Sequence, residues 1–423
     1  MSETDPRQSG IRALLEYLAS PAFDDRLRAV VSPYLDDRER TVVAPLPLAR
    51  HIGHFGPEPH YLKTIFGRSY DRIALITPPR REPGITQGLF DLLGEEFMLI
   101  ETDDKAVLNA GILNQGVTNK GGFDFYGAQI LRFYRDYGLM RHLHGPLFLG
   151  MSPALLEKGR AWLAQLGLTP DSGFVLLHVR DKGYVASAAN RLEGEMRATS
   201  LGNVRPAVDW LAGEGMPVFR IGGKDDEPLD HPSDIVFDVA KMPDREDWMD
   251  VFLCGACRFS VNCQSGPEGL VRAFDRPSLT TNLLPTVLGH HRPDDLFLYK
   301  SLFRGDASLP MSYEEILAAD LPIALSAVPL PNPQVYADMA IRPVENSPGV
   351  ILCATQEIYA RCSGTAPPEP SDLKKRFLAA SRAYQAKLEQ NPEARARNLD
   401  LFTHALGWGS PADAQGDEVP NFV

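Results

Sequence analysis

Short apolar runs alternate along this chain with stretches whose apolar residues recur at helical spacing, as buried strands of a parallel sheet and their crossover helices do. In the first half, Thr41–Leu46, Arg72–Thr77 and Phe97–Ile100 predict strands, with helices over Pro57–Phe66, Ile85–Leu93 and Phe123–Tyr137. Ser152, followed by proline at the first helical position, predicts a capped helix over Ser152–Leu166 that bridges the halves. The second half repeats the scheme. Strand Phe174–Val179, helix Val204–Glu214 and strands Pro217–Ile221 and Ile235–Phe237 lead to helix Glu246–Gly255, strand Arg258–Val261, helix Pro267–Phe274 and strand Ser278–Thr281. The expected fold class is α/β, with a doubly wound sheet in each half. Pro329–Pro333 and Ala366–Pro370 read as loops, and Leu373–Leu388 as a helix able to pack back across the lobes.

At 423 residues the chain exceeds what one core usually reaches. Division is therefore expected into Rossmann-like lobes over residues 1–165 and 166–365, with a C-terminal helix and tail over 366–423. A formal net charge of -12 repels nucleic acid and anionic membrane surfaces, so a phosphate ligand has to be small and locally held. Met1–Gly10 lacks the basic start and apolar run of a secretory signal, and the apolar runs are too short to span a bilayer, so a cytoplasmic location is expected. Cys254, Cys257, Cys263, Cys353 and Cys362 are odd in number, which argues for reduced thiols. Cys254 and Cys257 have metal or redox spacing but close a helix rather than open one, so buried small side chains are the expected reading.

Ligands of open parallel sheets gather outside the carboxyl ends of the strands, and three such places carry candidate chemistry. His178-Val179-Arg180-Asp181 ends one strand; Arg180 there serves either as a forked donor to a diphosphate or as a surface partner of Asp181. Gln264-Ser265-Gly266-Pro267-Glu268 leads into a helix: Ser265 is suited to cap it, Gly266 to admit a ligand to the backbone, and the exposed first-turn amides to hold an anion. Arg50-His51-Ile52-Gly53-His54-Phe55-Gly56-Pro57-Glu58 follows the first strand as a polar loop, where His54 or His51 could take a proton from an acceptor. Arg220, before Gly222, and Arg197 are further candidate cations, or members of structural ion pairs.

Together these stretches resemble a bacterial glycosyltransferase family whose fold is similar to the GT-B class, two Rossmann-like lobes facing across a cleft. The resemblance runs from about Thr41 to Cys362. It rests on His51-Ile52-Gly53-His54, His178-Val179-Arg180-Asp181, Val218-Phe219-Arg220-Ile221-Gly222, Asp250-Val251-Phe252-Leu253 and Ser265-Gly266, with Asp295-Leu296-Phe297-Leu298-Tyr299-Lys300 and Glu345-Asn346-Ser347 as closing segments. More distantly, Ser265-Gly266-Pro267-Glu268 with Arg276-Pro277 looks like the phosphate loop of heptosyltransferases and sugar-nucleotide 2-epimerases, and His178-Val179-Arg180 like an element of fucosyltransferases. The resemblance implies a nucleoside diphosphate sugar as donor. His178, Arg180, Arg197, Arg220, Gly222, Ser265, Gly266 and Glu268 then fall on the donor side, and His51, Gly53, His54 and Glu58 on the acceptor side. Two positions depart from the pattern: Arg197 precedes Ala198 where the family has arginine and asparagine, and Gln264 stands where an acid or threonine is usual.

Sugar transfer requires charge to be stabilised on the departing diphosphate, which Arg180, Ser265 and the Gly266 amides could do without a metal or cofactor; Arg180 and His54 are the expected catalytic pair, with inversion. Glu101-Thr102-Asp103-Asp104 after a strand superficially fits a metal site, but a solvated loop is the expected reading. A 2-epimerase or hydrolase, and a non-catalytic nucleotide-sugar binding module, are the alternatives.

Overall fold

The computed structural model describes residues 6–112, 116–128, 130–169, 173–180, 191–286, 292, 294–325, 331–366, 369–392, 409–419 and 422–423. Asp181, parts of both proline-rich loops and much of the tail lie outside them. The chain divides into two compact units, Met1–Phe148 and Leu149–Val423. The helix Pro153–Gln165, expected to end the first lobe, belongs to the second unit, as do the described C-terminal residues. Ser152 caps that helix as expected, accepting from the Leu155 amide at 3.1 Å.

The first unit is built on β1 (Thr41–Pro45), β2 (Arg72–Thr77), β3 (Met98–Glu101), β4 (Gly116–Asn119) and β5 (Asp124–Gly127), in the order β3-β2-β1-β5-β4. β1, β2, β3 and β5 run parallel and β4 pairs antiparallel with β5. Val42 and Val43 of β1, with Leu75 and Ile76 of β2, are fully buried, which explains why these strands read as apolar runs. The helix expected over Phe123–Tyr137 is a correction. Asp124–Gly127 is strand, turned out of β4 by Gly121 and Gly122 at positive φ, and the helix begins only at Ile130. Pairing of Phe125 with Val43 decided the matter against a helical spacing of aromatics.

The second unit holds β6 (Val175–His178), β7 (Val218–Ile221), β8 (Val236–Asp238), β9 (Phe259–Cys263), β10 (Ser278–Leu283), β11 (Leu296–Tyr299), the antiparallel pair β12 (Ser301–Arg304) and β13 (Ile341–Val344), and β14 (Ser410–Pro411). Its main sheet has the order β14-β11-β10-β9-β6-β7-β8, parallel throughout. From β6 the chain winds outward to β8, then returns to lay β9 on the other side of β6. That reversal is the switch point at which doubly wound sheets open a ligand crevice.

On one face the helices Leu201–Gly213 and Pro348–Cys362 bury Val204, Val208, Ile351 and Ile358 against Leu177, Val218 and Val261. Aromatic side chains fill the other face, where Trp162 meets Phe219 and Phe252. Gly159 is required there, because a Cβ would run into the Phe252 ring. Gly159→Ala is expected to lower stability by about 1–3 kcal/mol through overpacking, whereas the same change at Gly202, with open space around it, should not; urea denaturation of both variants checks this. Among the described residues no helix is long and apolar enough to cross a membrane.

Candidate functional site

At the switch point, parallel pairing sets His178 of β6 beside Ile221 of β7 and Asn262 of β9, so the chain leaving all three strands converges on one place. His178 Nδ1 lies 3.2 Å from the Ile221 carbonyl, which can only accept, so Nδ1 carries the proton. Burial pushes the His178 pKa down to about 4, and the charges of Arg220 and Arg180 add to the shift. The ring is thus neutral and its Nε2 accepts from the Ser265 hydroxyl at 2.9 Å. Ser265 stands at the N-cap of the helix Gly266–Ala273, but its hydroxyl makes no cap hydrogen bond. The expected cap is replaced by a link across the switch point, from the start of the helix to the end of β6. First-turn amides of a helix have no intrahelical acceptor, so the Gly266 end presents donors and a positive dipole at this link.

Arg180 is held by its backbone on both sides. Its amide donates to Cys263 Sγ at 3.1 Å, and its carbonyl accepts from the Thr199 amide at 2.9 Å. Its charge helps lower the His178 pKa and opposes the rise that burial causes at Cys263. Arg197, the last residue of the helix Arg191–Arg197, also arrives here: Nε and Nη2 donate to the Gln264 carbonyl at 3.2 and 2.8 Å. It grips the turn that carries Ser265. Cys263 was missed from sequence as a part of this site, since only the Arg180 amide on the neighbouring strand shows what its sulfur does; burial pushes its thiol up to about 11.

Three donor-side candidates sit differently. Arg220 has no solvent exposure; Nη1 donates to both carboxylate oxygens of Asp238 at 3.0 Å and Nη2 lies 3.7 Å from Asp226. It is a structural ion pair across β7 and β8. Gly222 is needed beside that pair, because a Cβ would come within 2.6 Å of the Asp226 carboxylate, which accepts from the Gly223 amide. Glu268 is buried and accepts from Arg272 at 2.9 Å and from the Thr280 hydroxyl, so its carboxylate ties the helix to β10. Cys254 and Cys257 are fully buried, and burial raises both thiols, Cys257 to about 12.

In the first unit the segment after β1 is not the expected polar loop. Ile52–Phe55, which includes Gly53 and His54, forms one helical turn with His51 at its N-cap, and Pro57–Phe66 is the predicted helix. His54 and Glu58 are one turn apart, and His54 Nδ1 donates to Glu58 Oε1 at 2.6 Å. Burial, the largest influence, pulls the His54 pKa down, but the hydrogen bond and charge of Glu58 outweigh it and leave the value raised above 6.5. Burial, helped by His54 and Arg50, lowers that of His51. Glu58 thereby orients His54, leaving Nε2 as the ring's basic nitrogen. Asp104 caps the helix Lys105–Leu108 and pairs with Arg26, while Glu101 accepts from the Arg80 amide. Among the described residues no three His, Cys, Asp or Glu side chains gather as a metal site.

No protein-family model matches the chain, and no curated protein matches its sequence. Solved structures do. A glycosyl transferase family 9 protein from Veillonella parvula DSM 2008 is similar at TM-score 0.40 and 11% identity, over 72% of this chain and 96% of that one. The E. coli ADP-heptose lps heptosyltransferase II is similar at TM-score 0.38 and 14% identity, over 63% and 92%. E. coli heptosyltransferase WaaC with ADP-2-deoxy-2-fluoro heptose is similar at TM-score 0.34 and 11% identity, over 61% and 92%.

Proposed function

We propose that this chain is a glycosyltransferase moving a sugar from a nucleoside diphosphate sugar to an acceptor hydroxyl. The observation that carries the reading is the link from Ser265 to His178 at the switch point, with Arg180 and the first turn of the helix Gly266–Ala273 at its rim. A diphosphate suits that place: the guanidinium offers two parallel charged donors and the helix start offers amides and a positive dipole. Ser265 contributes less than its sequence context suggests, because its proton is committed to His178. The positive charge needed by the leaving group comes from protein, and the reading is metal-independent. Transfer also needs a base, and the His54–Glu58 pair has that chemistry, which favours inversion.

Thermal unfolding with uridine, guanosine, adenosine and cytidine diphosphate sugars in turn tests the donor class. A ligand bound only by the native state stabilises it by about 2.7 kcal/mol at 100 times its Kd, so one base should raise the midpoint by several degrees. No shift with any of them contradicts the reading. Release of sugar from the donor without an acceptor would favour the hydrolase alternative, and binding without turnover the binding module.

A further inference from the structure

The carboxyl edge of the second sheet is tied together by one segment, Arg197–Ser200. Arg197 grips the Gln264 carbonyl beyond β9, and the Thr199 amide donates to the Arg180 carbonyl beyond β6. Lys300, the first residue after β11, sends its ammonium to the Ala198 carbonyl at 2.7 Å. The Ser200 amide and hydroxyl donate to Glu345, just after β13, at 2.7 and 3.1 Å. Three strand ends of the main sheet, and the end of β13 in the antiparallel pair, are therefore joined through four consecutive residues. Lys300 is 3% exposed; burial lowers its pKa, partly offset by the charges of Glu345 and Cys263. Burying an ammonium is costly unless it is hydrogen-bonded, and its bond to Ala198 fixes the middle of the segment.

We propose that Lys300 is a positioning residue for the donor site: by holding the Ala198 carbonyl it fixes Arg197–Ser200, and through the Thr199 amide the Arg180 backbone. The proposal rests on the donor reading above. Lys300 donates to the Ala198 carbonyl and acts through Arg180.

Calorimetric titration of UDP, GDP, ADP and CDP into the wild-type chain, Lys300→Met, Arg180→Ala and the double variant tests it. Lys300→Met should fold and bind the preferred diphosphate about 10-fold more weakly, the loss of roughly one hydrogen bond's worth of placement. In the Arg180→Ala background the same change should cost less than about threefold, because residues acting through a shared partner are not additive. Unchanged affinity in Lys300→Met, or an equal loss in both backgrounds, overturns the proposal; general destabilisation would give the equal loss. If Lys300→Met does not fold, Arg197→Met loosens the other end of the segment, and wild-type affinity there overturns it. Failure of the wild-type chain to bind any of the four is a separate result that removes the donor reading and this proposal together.

Discussion

His54→Ala should lower saturated turnover by about 100- to 10,000-fold while leaving nucleotide-sugar affinity near that of the wild-type chain, the span expected when a general base is removed. The geometry behind this is the 2.6 Å hydrogen bond from His54 Nδ1 to Glu58, which fixes the tautomer and leaves Nε2 to take the proton. The base works only when neutral. Because the pair holds the His54 pKa above 6.5, turnover should fall as pH drops through a value above 6.5, provided chemistry limits the rate. Glu58→Gln removes the raising charge, so the limb should move to lower pH as burial, the opposing influence, takes over. Rate measurements across pH on the three proteins check this. Lost affinity with normal saturated turnover would make His54 a ligand-positioning residue, and normal behaviour in both would move the role to His51 or Glu58.

Arg180→Ala should fold normally and lose about 30- to 150-fold in donor affinity, equivalent to a charged hydrogen bond of about 2–3 kcal/mol. Its backbone contacts to Cys263 and Thr199 survive the change. Arg220→Ala is the contrast. Removing that fully buried arginine takes the ion pair from the half-buried Asp238, which keeps the Leu229 amide, and stability should fall by about 3 kcal/mol before binding is considered. Calorimetry and urea denaturation on the two variants separate a ligand contact from a structural ion pair. Similar folding with similar donor loss in both would return Arg220 to the site.

The central strands of the second unit were readable because β6, β7, β9 and β10 are buried on both faces, whereas β11, β12 and β13 were not predicted. Val175–His178 carries an apolar run that needs no partner to be recognised, while Phe259–Cys263 alternates apolar residues with the buried Ser260 and Asn262. β14 was not readable, since Ser410–Pro411 is a two-residue strand whose pairing with Leu296 and Phe297 is purely tertiary. β5 was misread for a related reason: its aromatics sit at helical spacing, and only parallel pairing with β1 makes them a strand.

At the site, His178, Ser265 and Arg180 could be found from their places at strand ends and a helix start. Their mutual geometry could not, because it depends on the register that pairs His178 with Asn262. Arg220 looked like a cation at the crevice because Asp238, opposite it, is 18 residues away and on another strand. Glu268 did carry a warning: Arg272 stands four residues on, the spacing of a helical ion pair. Lys300 lies beyond β11, and nothing in its own neighbourhood connects it with Ala198.

A crystal structure with the nucleoside diphosphate that gives the largest thermal shift tests the central claim most directly. The account predicts the diphosphate at the carboxyl ends of β6 and β9, with the Arg180 guanidinium and the amides at Gly266 on its oxygens and the Ser265 hydroxyl still turned to His178. Density for the nucleotide elsewhere on the chain, with Arg180 and Gly266 untouched, would contradict it.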